Sequence, residues 1–177
     1  AILAKITKTN EMSSGNNFRK REDLVLTEKK ENRQEVLAHY LLALCFQHHC
    51  EEALLTPGLE EWLDNPGYRR LIAALEKFLA KEKNFSSSGF SQKLAPELKE
   101  IFDEFYLVPL PEKLTEPEEQ EKEIKRVLGE LRQLYLKRQL EKLTQELEAK
   151  EKAGEKEVLL GIEERINQTL KELKRAE

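Results

Sequence analysis

Little in this chain breaks a helix. Its 177 residues include only seven glycines and six prolines, and no apolar–polar alternation persists long enough to mark strands. With 36% charged and 39% hydrophobic residues, that scarcity favours a soluble all-helical protein. Two cysteines do not make a disulfide framework, so a reducing cytosol is the expected setting. No apolar run approaches the roughly 20 residues of a membrane span. Ala1-Ile2-Leu3-Ala4 is too short for a signal peptide and lacks the basic lead-in. Nor is the charge basic: 30 Lys and Arg against 34 Asp and Glu leave a net −4. That argues against a dedicated nucleic-acid surface, though not against a local patch. The chain begins at Ala1 rather than methionine, and we expect a piece of a longer protein.

Catalytic patterns are missing too. The glycines are scattered and Gly-x-x-x-x-Gly-Lys-Ser/Thr is absent, so no loop cradles a phosphate. With three histidines, no serine–histidine–acid arrangement can be assembled. The carboxylates lie on helix faces beside Lys or Arg, in no setting that would tune them for acid–base work. Cys45-x-x-His48-His49-Cys50 offers four candidate metal ligands within six residues. One helical turn, however, does not wrap a tetrahedron: Cys45 and His49 share a face while His48 and Cys50 point elsewhere. The stretch reads as a buried core cysteine followed by histidines at a helix C-terminus. We assign no metal ligand, no cofactor and no catalytic residue, and expect this chain not to be an enzyme by itself.

What is present is helical periodicity, greatest in Glu116 to Glu177. Thr115 and Glu118 stand in capping-box spacing around Pro117. Ile124, Val127, Leu128, Leu131 and Leu134 then recur three and four apart, followed by Leu136, Leu140, Leu143 and Leu147. Gly154 closes the helix, and Val158, Leu159, Ile162, Ile166, Leu170 and Leu173 continue the spacing. The two-residue step from Leu134 to Leu136 turns the apolar face by about 200° at roughly 100° per residue. One helix therefore serves two packing surfaces.

Upstream, 1–31 shows no sustained period and reads as a flexible linker, with Arg19-Lys20-Arg21 solvated in it. Asn32 and Glu35 cap a helix whose wide stripe (Val36, Leu37, Tyr40, Leu41, Leu44, Cys45) suits a central place, and which frays at Gln47 to Cys50. His39 falls on its polar side. Short helical turns follow at Glu51 to Leu55 and Leu59 to Asp64. Asn65-Pro66-Gly67 starts a helix running to about Lys83. Asn84 to Ser91 is a loop, and Pro96 to Tyr106 is helical. Trp62, Phe78, Phe102 and Tyr106 lie in apolar helical contexts that favour core packing. The expected architecture is all-α: a multi-helix bundle (32–136) joined by a long helix to a protruding C-terminal helical hairpin (137–177).

A two-helix pair does not cover both sides of each stripe. Val158 or Leu159, Leu170 and Leu143 are expected at its edges, and apolar edges rimmed by charge mark protein-contact sites. The candidate docking residues are Leu140, Leu143, Leu147, Val158, Leu159, Ile162, Arg165, Ile166, Leu170 and Leu173. Lys150, Lys152, Arg165, Lys171 and Lys174 would set orientation and on-rate.

The run Val36-Leu37-Ala38-His39-Tyr40-Leu41-Leu42-Ala43-Leu44-Cys45-Phe46-Gln47-His48 resembles the first helix of the C-terminal domain of bacterial DNA primase. Tyr68 to Leu75 looks like that family's later bundle helix, Glu118 to Leu143 like its long connecting helix, and Leu143 to Arg175 like its terminal hairpin. Two features depart from the pattern: His49 stands where proline is commoner, and 1–31 matches nothing in it. The resemblance implies a non-catalytic domain of the bacterial replisome in the cytoplasm. It would bind the N-terminal domain of the hexameric replicative helicase, chiefly through the hairpin, and bring RNA primer synthesis to the replication fork. Single-stranded-DNA-binding protein is a further candidate partner; a membrane, or strong direct contact with nucleic acid, is not expected. The zinc-binding and magnesium-dependent polymerase regions of such a primase would precede Ala1. Two other readings stand beside this one: the N-terminal domain of the replicative helicase itself, and a structural helical adaptor that self-associates.

Overall fold

The first helix, α1, occupies 33–47 and runs through the middle of the core: Ala38 and every residue from Leu41 to Phe46 are buried. The computed structural model describes residues 33–82 and 84–176. The linker expected at 1–31 and the Asn32 cap lie outside the described residues. Gln34–Glu177 forms one compact unit. Val36, expected on the apolar stripe, is instead exposed. His39, expected in solvent, is half-buried, with Nδ1 2.9 Å from the Tyr68 hydroxyl and its ring 5.0 Å from that of Phe105.

The end of α1 is closed rather than frayed. The Cys50 N–H reaches back to the Cys45 carbonyl at 2.9 Å, and His49 between them takes a φ of 56°. This is the closure usually built on a left-handed glycine. A 3-10 turn at Glu51–Leu55 and the short α2 (Leu59–Trp62) follow, burying Leu54, Leu59, Trp62 and Leu63.

Helix α3 (Pro66–Leu79) starts as its sequence demands, with the Asn65 side chain accepting from the Gly67 N–H at 2.8 Å and Pro66 in the first turn. Its three-and-four spacing buries Tyr68, Leu71, Ile72, Leu75 and Phe78. Helix α4 (Ser87–Lys93) begins inside the run expected to be a loop, Asn84 to Ser91. The Ser86 hydroxyl accepts from the Gly89 N–H at 3.3 Å and Phe90 is buried, so a cap and an anchor outweigh the weak helix preference of Ser and Gly. Helix α5 (Pro96–Phe105) buries Leu98, Phe102 and Phe105. Phe46 and Phe90 meet the Phe102 ring edge-on at 4.9 and 5.2 Å.

A second 3-10 turn, Glu112–Thr115, leads into α6 (Pro117–Ala153), 37 residues long. The expected capping box does not form: Thr115 belongs to the preceding turn, and Glu116 stands at the cap without a side-chain bond. Gly154, at a φ of 73°, ends α6, and α7 (Lys156–Ala176) packs back along it. The fold is thus an all-α bundle joined by one long helix to a C-terminal hairpin. No strand occurs among the described residues, and no helix among them is long and apolar enough to cross a membrane.

Candidate docking surface

Two apolar stripes on α6 position the hairpin. Ile124, Val127 and Leu131 are buried in the bundle core, and Leu128 and Tyr135 pack against it. Tyr135, not Leu134, continues the first stripe. Leu136 and Leu143 are buried outside that core, on the stretch that α7 covers. With Tyr135 as its last member, the first stripe lies about 130° from the second at roughly 100° per residue, rather than opposite it.

At this handover α2 and the residues just after it are fastened to α6 at three positions spaced three residues apart. The Arg132 guanidinium lies 6.0 Å from the Trp62 ring centroid. The Tyr135 hydroxyl donates to Glu61 Oε2 at 3.2 Å, and Arg138 pairs with Asp64. On the other side Gln133 Nε2 donates to the Ala176 carbonyl at 2.6 Å, tying the end of α7 to the base of the hairpin. Lys150 Nζ closes the far end on Glu155 Oε2 at 2.6 Å.

The candidate docking residues fall into three groups. Leu143 (4% exposed) and Ile162 (2%) are filled in between the two helices, so Leu143 is not an edge. Leu140, Leu147, Leu159, Ile166 and Leu173 are half-buried around them. Val158 (43%) and Leu170 (37%) face solvent, as does Arg165, whose Nη1 is 3.9 Å from Glu146 Oε2. The most open apolar side chain of the hairpin is Leu160, 69% exposed, which the sequence reading passed over. Its signal was present: in Val158-Leu159-Leu160 three consecutive apolar residues cannot share one helix face. Leu159 takes the inner side and turns Leu160 outward.

The Cys/His stretch is a junction of elements. Gln47 Nε2 donates to the carbonyls of Phe105 at 2.6 Å and Val108 at 2.9 Å, finishing the C-terminus of α5. Gln120 on α6 donates from Nε2 to the Leu114 carbonyl at 2.8 Å and to His48 Nδ1 at 3.1 Å. The Cys50 thiol lies 3.9 Å from Gln120 Oε1. Burial pushes the Cys45 thiol well above its ordinary value and raises that of Cys50. The buried Glu51 carboxyl is raised by burial and partly held down by His49, whose Nδ1 is 3.3 Å from Oε1. Among the described residues, no three His, Cys, Asp or Glu side chains gather as a metal site. A tie from within α1 also reaches α6: the Tyr40 hydroxyl donates to Glu123 Oε1 at 3.1 Å, and burial with this carboxylate pushes the phenol up to about 12.

Trp62, Phe78 and Phe102 are buried as expected. Tyr106 lies at the surface, with its hydroxyl 2.9 Å from Ser87 Oγ. Comparison of the chain with protein-family models, with curated proteins and with solved structures gives no match.

Proposed function

We propose that this chain is a non-catalytic docking domain, and that its partner is the N-terminal domain of a hexameric replicative helicase, as in the C-terminal domain of a bacterial DNA primase. The observation that carries the docking role is the exposed pair Leu160 and Leu170 on α7, a helix whose inner face is already filled by α6, with Val158 open at the edge of that inner face. Exposed apolar side chains on one helix, rimmed by charge, suit a partner that contributes helices of its own. The resemblance of α1, α3 and the α6–α7 hairpin to the primase domain supports the choice of partner. On this reading Leu143 and Ile162 act by shaping the hairpin, and contact falls to the outer residues.

Titration calorimetry of the 177-residue chain against the helicase N-terminal domain tests the proposal. Leu160→Lys with Leu170→Lys should weaken binding about tenfold or more while the helical circular dichroism is kept. Equal affinity for the double variant would refute docking through this surface, and no binding by the unaltered chain would refute the choice of partner.

A further inference from the structure

The charges of α7 are distributed unlike those of α6. On α6, Lys122, Lys125 and Arg126 pair with Glu119, Glu121 and Glu123, three or four residues away. The exposed Arg165 of α7 lies 3.9 Å from Glu146 of α6; among the other charges, the exposed acids Glu163 and Glu164 sit in the first half and the exposed bases Lys171 and Lys174 in the second. Seven residues separate Glu164 from Lys171, nearly two turns and too far for an intrahelical pair. None of these four makes an ion pair among the described residues.

The face that carries Glu163, Lys171 and Lys174 is turned to solvent. Taking the buried Ile162 as inward, a step of about 100° per residue places Glu163, Lys174, Asn167, Leu160 and Lys171 about 100–180° round the helix, with Leu170 at their edge at about 80°, and all six are exposed. Read outward from Asn167, this face has acid four residues before it and base four residues after it.

We infer that this outward face of α7 pairs with the same face of a second copy, antiparallel, about a two-fold axis at Asn167. A two-fold interface sets residue i against j and j against i. Antiparallel helices centred on Asn167 set Glu163 level with Lys171 of the copy and Glu164 level with Leu170 of the copy. Leu160 then lies against the aliphatic stem of Lys174, and each contact occurs twice. Asn167 meets its own copy, a polar group of the kind that fixes register between paired helices. A parallel arrangement sets acid on acid and base on base, which like-charge repulsion disfavours. Small in area and charged, the contact is weak and is screened by salt. It covers Leu160 and Leu170, so a second copy and the docking partner compete for them. The pairing does not depend on what that partner is.

Sedimentation equilibrium of the 177-residue chain alone, at low and high salt, reads the association without any partner. The expected result is a monomer–dimer equilibrium that weakens several-fold between low and high salt. The variants Glu163→Lys/Glu164→Lys and Lys171→Glu/Lys174→Glu should each weaken it about tenfold, while an equimolar mixture of the two restores dimer, because every cross-pair is again of opposite sign. In a Cys50→Ser background, Asn167→Cys should cross-link to its copy under mild oxidation. Leu160→Cys should not, as the two copies of that position lie about 21 Å apart along the axis. A chain that stays monomeric at low salt, a dimer indifferent to the charge reversals, or cross-linking through Leu160→Cys would overturn the pairing. Sedimentation and cross-linking contain no helicase domain, so failure of the pairing and failure of the docking reading are separate results.

Discussion

Tyr135 and Leu136 are consecutive on α6 and serve different surfaces. The Tyr135 ring packs on the bundle core and its hydroxyl reaches Glu61 at 3.2 Å, whereas Leu136 is buried outside that core on the side covered by α7. A single step of about 100° is where the bundle hands over to the hairpin. The stability of the two parts should therefore be separable.

Ile162→Asp sets a charge in the middle of the α6–α7 contact, at a buried position outside the bundle core. We expect α7 amides to lose exchange protection while those of α1 and α3 keep theirs, by hydrogen–deuterium exchange mass spectrometry. By contrast Leu131→Ala, in the bundle core, should cost about 2–5 kcal/mol of global stability. Uniform loss of protection in the Ile162 variant would show that bundle and hairpin unfold as one.

Two glycines should respond with opposite signs to the same substitution. Gly154 and Gly161 each have open space where a Cβ would go, but Gly154 alone has a left-handed φ, of 73°. Gly154→Ala should destabilise by about 1 kcal/mol through backbone strain. Gly161→Ala, inside α7, should stabilise by about 0.5–1 kcal/mol. Thermal unfolding of both variants checks the pair, and the same sign for both would contradict the backbone account.

Glu51 fixes a pH dependence. Burial raises its folded-state pKa above the unfolded value, so the proton is bound more tightly in the native state. Its contribution is fully favourable below the unfolded value and is lost as pH rises through the raised folded value. Glu51→Gln mimics the protonated form, so its melting temperature should gain on the unaltered chain between pH 4 and 7.5. A constant difference across that range would mean that Glu51 does not titrate differently on folding.

Gln47 completes the end of α5 from another helix. Gln47→Ala leaves the carbonyls of Phe105 and Val108 without that donor, and Phe105 is fully buried. Urea denaturation should show a loss of about 1–3 kcal/mol. A loss within error would indicate that water replaces the amide.

The helices α1, α3, α5, α6 and α7 were legible because each carries apolar residues three and four apart, and the prolines that open α3, α5 and α6 and the glycine that ends α6 need no tertiary context. What was hidden depended on partners far along the chain. His39 looked solvated until Tyr68 and Phe105 came beside it, and α4 looked like a loop until Phe90 found the aromatic core. Tyr135 escaped the count of leucines because it buries a ring while keeping a polar tip. The buried interior of the hairpin was readable as a stripe. Which members remained open was not, because that turns on Leu159 rather than Leu160 facing α6.

The fastening of α2 to α6 has a mechanical side. Trp62, Glu61 and Asp64 grip α6 at Arg132, Tyr135 and Arg138, part-way along a rod of about 55 Å. Such a grip is a fulcrum. With about 25 Å of α6 beyond it, a tilt of 10° at the grip moves the hairpin tip by roughly 4 Å. A modest repacking of α2 in the bundle would thus be magnified at the tip, and a load on the tip would be felt as leverage on Trp62.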